Sequence, residues 1–211
     1  MYQDKRIAVV VPAYNEETLV KRSLCTMPDF VDTVIVVDDA SRDDTAEVIR
    51  TVAGQDARIH LIVHEKNQGV GGAICTGYAA AREQGFDVTA VMAADGQMDP
   101  DNLEDVIAPV VAGKVDYAKG NRLFSGDAWN MIPRHRYLGK SLLSLMTKIA
   151  SGYWHVADSQ SGYTAASLEV LQKLDLDAVY KRYGMPNDIL IRLNENGFRV
   201  RDVPIRPVYN I

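Results

Sequence analysis

The chain has 211 residues, 47% of them hydrophobic and 24% charged, a balance that supports one substantial core and excludes a disordered or fibrous protein. A net charge of −5 argues against a nucleic-acid partner, which would need a clustered basic surface. Cys25 and Cys75 form no C-x-x-C pair, and no apolar run reaches the about 18–20 residues of a spanning helix, so a disulfide framework, a zinc site and a membrane span are all unsupported.

Taken in chain order, short β-branched runs at 7–11, 33–37, 59–63, 88–93 and 115–118 read as strands. Helical patterns at 18–26, 43–53, 70–84 and 101–111 separate them. Near-continuous apolar strands alternating with helices predict an open, mostly parallel α/β sheet with helices on both faces. Asp43 and Asp44 are expected in the first turn of the second helix, with Gly54 just past its end. From 120 to 136 the pattern becomes polar and irregular, and a loop of that length inside a compact domain is usually functional. Beyond it, 135–151 reads as helix, 161–166 as a short strand, 187–195 as helix and 198–204 as extended. No internal repeat or low-complexity linker divides the chain, so 1–211 is expected to be one domain.

Ligands of open α/β sheets bind beyond the carboxyl ends of the strands. Those ends read Pro12-Ala13-Tyr14-Asn15-Glu16-Glu17, Asp38-Asp39-Ala40-Ser41, Asp95-Gly96-Gln97 and Gly120-Asn121-Arg122. One rim thus collects an aromatic ring, carboxylates, an amide and a guanidinium, the set that a nucleoside diphosphate with a divalent cation requires. Asp95 is the expected ligand of Mg2+ or Mn2+, with Gln97 adding a neutral oxygen. Asp38 and Asp39 either meet the ligand or only cap the next helix.

Competing motifs fail on spacing. Gly69-Val70-Gly71-Gly72 begins like a dinucleotide fingerprint, but Ile74 replaces the last glycine and the run follows the third strand. His60 and His64, four apart in a strand, lie roughly 13 Å from each other, too far to share one zinc ion. No G-x-S-x-G elbow occurs.

Together, the Val11–Glu17 and Val36–Ser41 stretches, Asn67-Gln68-Gly69 and Asp95-Gly96-Gln97 resemble an inverting family-2 glycosyltransferase of the GT-A fold. The D-G-Q form and Gly120-Asn121-Arg122 are most similar to the polyprenol-phosphate group that includes dolichol-phosphate mannose synthase. The resemblance covers nearly the whole chain. It implies that Pro12, Ala13, Tyr14, Glu16, Val37, Asp38, Asp39 and Ala94 hold the nucleotide sugar. Asp95 and Gln97 would bind the metal, and Arg122 a diphosphate or acceptor phosphate. Ala93 stands where many relatives have a second aspartate.

Residues 1–120 are then expected to form mainly the nucleotide-sugar half and 121–211 mainly the acceptor half. Arg134, Arg136 and Lys140 precede an apolar stretch, so they either meet a phosphorylated acceptor at an anionic membrane surface or are solvated above a core helix. Asp158 and Gln160 are expected at an acceptor or donor-sugar wall, or in a turn. Asp188 matches the place where relatives acting on hydroxyls carry a base, and otherwise caps or orients the helix that begins there. The resemblance implies hexose transfer to a polyprenyl phosphate, or to a saccharide hydroxyl with Asp188 as base, at the cytosolic face of a membrane. A different class, a nucleotide-sugar-binding module with weak or no catalysis, is the remaining alternative.

Overall fold

A computed structural model of the chain describes residues 1–122, 148, 151–154, 156, 158 and 160–206. The described elements are β1 (Ile7–Ala13), α1 (Val20–Cys25), β2 (Thr33–Asp38), α2 (Thr45–Ala53), β3 (Ile59–Val63), α3 (Val70–Glu83), β4 (Val88–Val91), α4 (Leu103–Val111), β5 (Tyr117–Asn121), β6 (Thr164–Ser167), α5 (Leu168–Lys173), α6 (Met185–Glu195) and β7 (Val200–Pro204). They form one seven-stranded sheet in the order β3-β2-β1-β4-β6-β5-β7. Every pairing is parallel except those of β6, which runs antiparallel to both β4 and β5.

The central strands are apolar at nearly every position because both faces are covered. Ala8 and Val10 of β1 face a core built with Ala73, Ile74 and Tyr78 of α3 and Ile189, Leu190 and Leu193 of α6. Ile7, Val9 and Val11 face the opposite core, with Leu24 of α1, Ile49 of α2 and Val106, Ile107 and Val110 of α4. The result is a three-layer sandwich, as the alternation of strand and helix patterns predicts.

Several boundaries differ from the sequence reading. β4 ends at Val91, although Met92 N–H still donates to Val10 O (3.0 Å); beyond it Ala93 N–H turns to the sulfur of Met98 (3.2 Å). Asp43 and Asp44 precede α2, and Asp43 accepts from Thr45 N–H (3.1 Å). A 3-10 turn, Pro100–Asn102, opens the fourth helical segment, capped by the Asp99 carboxylate accepting from Asp101 N–H at 3.0 Å. Helix α6 starts at Met185, with Pro186 in its first turn, so Asp188 lies inside that turn instead of capping it. The six-residue α5, capped by Ser167, was not expected from the sequence. The expected loop beyond Arg122 and nearly all of the helix expected at 135–151 lie outside the described residues.

Candidate functional site

Chain order reverses at β1: β2 and β3 lie on one side and β4 on the other. This switch opens a crevice beyond the carboxyl ends of β1 and β4. A cavity of about 380 Å³ occupies it, lined by Pro12, Ala13, Tyr14 and Glu16 after β1, Asp39 after β2, and Ala93, Ala94 and Asp95 after β4. The start of α3 adds Asn67, Gly69, Val70 and Ala73, and the loop before α6 adds Arg182 and Tyr183.

The first wall comes from an alternation within Tyr14-Asn15-Glu16-Glu17. Asn15 and Glu17 tie this loop to the one after β2: Arg42 N–H donates to Asn15 Oδ1 (2.9 Å) and Asp44 N–H to Glu17 Oε2 (3.0 Å). Asn15 N–H in turn donates to Ser41 Oγ (3.0 Å), and Glu16 N–H to Thr45 Oγ1 (2.8 Å). With its neighbours so fixed, the side chains of Tyr14, 41% exposed, and Glu16 are left to line the cavity. Burial first, and then the charges of Asp95 and Asp43, raise the Glu16 carboxyl above the usual glutamate range.

Asp38 and Asp39 are both buried but serve different neighbours. Asp38 accepts from the backbone N–H (3.2 Å) and the hydroxyl of Ser41, closing the turn after β2. It is not among the cavity-lining residues, nor is Val37, which is fully buried in the core. Asp39 reaches the cavity wall while accepting from Gln68 N–H (2.8 Å), Gly69 N–H (2.7 Å) and His64 Nδ1 (2.7 Å). An ionised carboxylate only accepts, so the proton of a neutral His64 sits on Nδ1, and Nε2 accepts from the Thr76 hydroxyl at 2.9 Å. His64 is thus a strut between β2 and α3, and His60 is exposed.

Asp95 lines the cavity and accepts from Gln97 N–H through Oδ1 (3.0 Å). The Gln97 side chain is exposed and outside the lining set. Among the described residues, no group of three or more His, Cys, Asp or Glu could hold a metal by itself. Asp95 and Glu16 both line the cavity, and the Asp95 charge acts on the Glu16 carboxyl.

Arg122 also lies outside the lining set. Its Nε donates to Asp158 Oδ2 (3.1 Å), while Gln160 N–H donates to Oδ1 of the same buried carboxylate (3.2 Å). Beneath this pair, Lys119 is 1% exposed and its ammonium donates to Ser161 O; burial pushes its pKa down to about 8. Tyr163 OH donates to Asp99 O (3.1 Å), joining this segment to the loop that follows Asp95. Arg134, Arg136 and Lys140 lie outside the described residues.

Asp188 does not line the cavity. Its Oδ2 accepts from Tyr180 N–H (2.9 Å) and from Arg192 Nε (2.8 Å), and Arg192 also donates to Ala178 O (2.5 Å). The pair holds the loop that carries Arg182 and Tyr183. Sequence reasoning missed those two residues; it counted Asn67-Gln68-Gly69 only towards the resemblance, with no place at the site, and gave Val70 and Ala73 no role. A signal existed in the glycines: Gly69 has φ +87°, and a Cβ on Gly71 would stand 2.5 Å from Tyr180 O. Of the glycines that imitated a dinucleotide fingerprint, Gly69 and Gly71 make room for residues 180–182, and Gly72 N–H donates to Lys181 O (3.0 Å).

Residues 8–175 match the family described as Glycosyl transferase family 2. The UDP-N-acetylglucosamine–dolichyl-phosphate N-acetylglucosaminyltransferase of Methanococcus voltae is 33% identical over 98% of this chain and 87% of its own. The undecaprenyl-phosphate mannosyltransferase of Micrococcus luteus is 32% identical over 95% and 82%. In fold, the chain is similar to glucosyl-3-phosphoglycerate synthase from Mycobacterium tuberculosis, solved with Mn2+, uridine diphosphate and phosphoglyceric acid: TM-score 0.73, 21% identity, 99% of this chain and 72% of that one. No helix among the described residues is long and apolar enough to cross a membrane. A parallel-dominated sheet with its crevice at the β1/β4 switch, and a family match across most of the chain, place this protein in glycosyl transferase family 2, as a glycosyltransferase of the GT-A fold.

Proposed function

We propose that this enzyme transfers a hexose, with inversion, from a nucleotide-diphosphate sugar to a polyprenyl phosphate. The observation that carries the reading is the β1/β4 cavity, in which Tyr14, Glu16, Asp39 and Asp95 converge, in a chain whose relatives are named for transfer to dolichyl and undecaprenyl phosphates. Tyr14 offers its ring to the base, and Asp39, held by three donors, presents a fixed edge to the nucleoside. Pro12, Ala13 and Ala94 supply the backbone floor between them.

One cavity-facing aspartate with a second carboxyl nearby fits Mg2+ or Mn2+, which commonly take one or two protein carboxylates and complete their shells with water and substrate phosphates. Asp95 would hold the ion, with Gln97 able to join only by turning inward from its exposed position. When bound, such an ion neutralises charge on the departing diphosphate. The chain's own residues orient the donor and exclude water.

In the reaction an acceptor phosphate oxygen forms the new bond to the anomeric carbon from the face opposite the leaving group. The anomeric carbon–oxygen bond breaks, and its electron pair leaves with the nucleoside diphosphate. A phosphate monoester has a second pKa of about 6, so it is largely dianionic at neutral pH and needs no protein base. The binding of Asp188 to Tyr180 N–H and Arg192 supports this reading over transfer to a hydroxyl, because that carboxylate is engaged in holding a loop. Arg122, Asp158 and Gln160 are proposed on the acceptor side, with Arg134, Arg136 and Lys140 at the phosphate and the cytosolic membrane surface. Residues 1–120 then serve mainly the donor and 121–211 mainly the acceptor.

Asp95→Ala is expected to abolish transfer while leaving the fold intact. Near-normal turnover by that variant, with a divalent ion still required, would refute the assignment of Asp95. Donor choice is read by screening nucleotide sugars for Mn2+-dependent thermal stabilisation: at 100 times its dissociation constant a ligand adds about 2.7 kcal/mol.

A further inference from the structure

Among the described residues lining the cavity, the acids are Glu16, Asp39 and Asp95, and Arg182 is the one basic residue. Diphosphate and monophosphate groups are anions, and a guanidinium pairs with them through two parallel charge-assisted hydrogen bonds. Arg122, the arginine expected to meet a phosphate, donates to Asp158 and lies outside the lining set. The arginines in salt bridges among the described residues are Arg50, Arg58, Arg122, Arg192 and Arg199, and Arg182 is not one of them.

The loop under Arg182 is built from several independent anchors. Tyr180 N–H is held by Asp188, Lys181 O accepts from Gly72 N–H, and the Lys181 ammonium donates to Leu176 O (2.5 Å). Met185 N–H donates to Arg182 O (2.9 Å), joining the residue to the start of α6. The Arg182 stem rests on Gly69, where an added Cβ would stand 3.1 Å from its Cγ. An exposed arginine on a free loop would be an ordinary solvated charge. Arg182 is itself exposed, but the backbone on both sides of it is fixed and the residue lines the cavity.

We propose that Arg182 is a phosphate-pairing residue of this site, its guanidinium donating to phosphate oxygens of a bound substrate. The inference rests on the cavity being the nucleotide-sugar site. Two substrates bring that chemistry, the donor diphosphate and the acceptor monophosphate, and the same experiment separates them.

The test measures affinities of wild type, Arg182→Ala and Arg182→Lys for uridine, UMP and UDP, and for the guanosine series, with Mn2+ present. It also measures KM for a short-chain polyprenyl phosphate. Loss of a charge-assisted hydrogen bond weakens binding by about 10- to 100-fold. If Arg182 pairs with the donor, the alanine variant loses that factor for the diphosphate, keeps wild-type nucleoside affinity, and lysine restores part of it. If it pairs with the acceptor, diphosphate affinity is unchanged and KM for the lipid phosphate rises by the same factor. Unchanged values in every arm overturn the proposal, as does a parallel loss for nucleoside and diphosphate, which would mean that Arg182 packs on the nucleoside. Wild type binding neither nucleotide series would overturn the underlying reading of the cavity instead.

Discussion

Replacing Gly71 by alanine sets helix propensity against the packing of the Arg182 loop. In an isolated helix, alanine would be favoured over glycine by about 1 kcal/mol. Here the new Cβ would meet Tyr180 O at 2.5 Å, Lys181 C at 2.7 Å and Lys181 O at 2.9 Å, all backbone atoms with no rotamer to escape into. Overpacking of this kind costs about 1–3 kcal/mol. Pushing the loop away also strains the hydrogen bond from Gly72 N–H to Lys181 O, worth about 1 kcal/mol. The sum is a net loss of about 2 kcal/mol, or a fall of about 4–8 °C in melting temperature for a domain of this size. Gly54→Ala is the control, since its Cβ would meet nothing closer than Thr51 O at 3.5 Å. Thermal unfolding and nucleoside-diphosphate titration read the result, with affinity expected to fall as Arg182 shifts. A Gly71→Ala protein that melts higher than wild type and binds the nucleotide equally well would refute the seating of this loop on α3.

Two further predictions concern pH. Glu16 has a raised pKa, so the folded state binds its proton more tightly than the unfolded chain; the associated stability is full below the unfolded value of about 4.3 and is lost as pH rises through the folded value. Glu16→Gln is therefore expected to melt above wild type at neutral pH in the presence of chelator, with the difference closing towards acid; a constant offset at all pH values would contradict this. Lys119 has the opposite sign: its folded pKa of about 8 lies below the unfolded value of about 10.4, so the unfolded chain holds more protons in that window and wild type gains stability as pH rises through it. Lys119→Met should lack that gain, and melting curves of the two proteins that run parallel between about pH 7 and about pH 10.5 would show that the ammonium is not held as described.

Legibility in the sequence followed the range of the interactions. The inner strands were plain because burial on both faces makes residues such as Val34-Ile35-Val36-Val37 uniformly apolar. Ordering their carboxyl ends on one rim brings Tyr14, Glu16, Asp39 and Asp95 together from the sequence alone, and all four line the cavity. The antiparallel direction of β6 was hidden, since Thr164-Ala165-Ala166-Ser167 is short and carries no directional signal. Arg182 and Tyr183 were invisible for a different reason. Their place at the cavity depends on Asp188, Arg192 and the two glycines Gly69 and Gly71 at α3's entrance, contacts that no local period encodes. Asp38 and Asp39, adjacent and chemically identical, were not separable by sequence: one closes a turn while the other joins two elements and meets the cavity.

The reversed direction of β6 has a consequence for how substrate choice is divided along the chain. A parallel neighbour must be reached by a crossover that returns to the far end of the sheet. Because β6 is antiparallel to β5, the chain leaves β5 after Asn121 and enters β6 at Thr164 on the same edge, the one that also presents Asp95. Both ends of the intervening segment are therefore anchored at the rim. On the proposed division of the chain, changes of length or sequence there would act on acceptor choice while β1, β2 and the start of α3 keep their register.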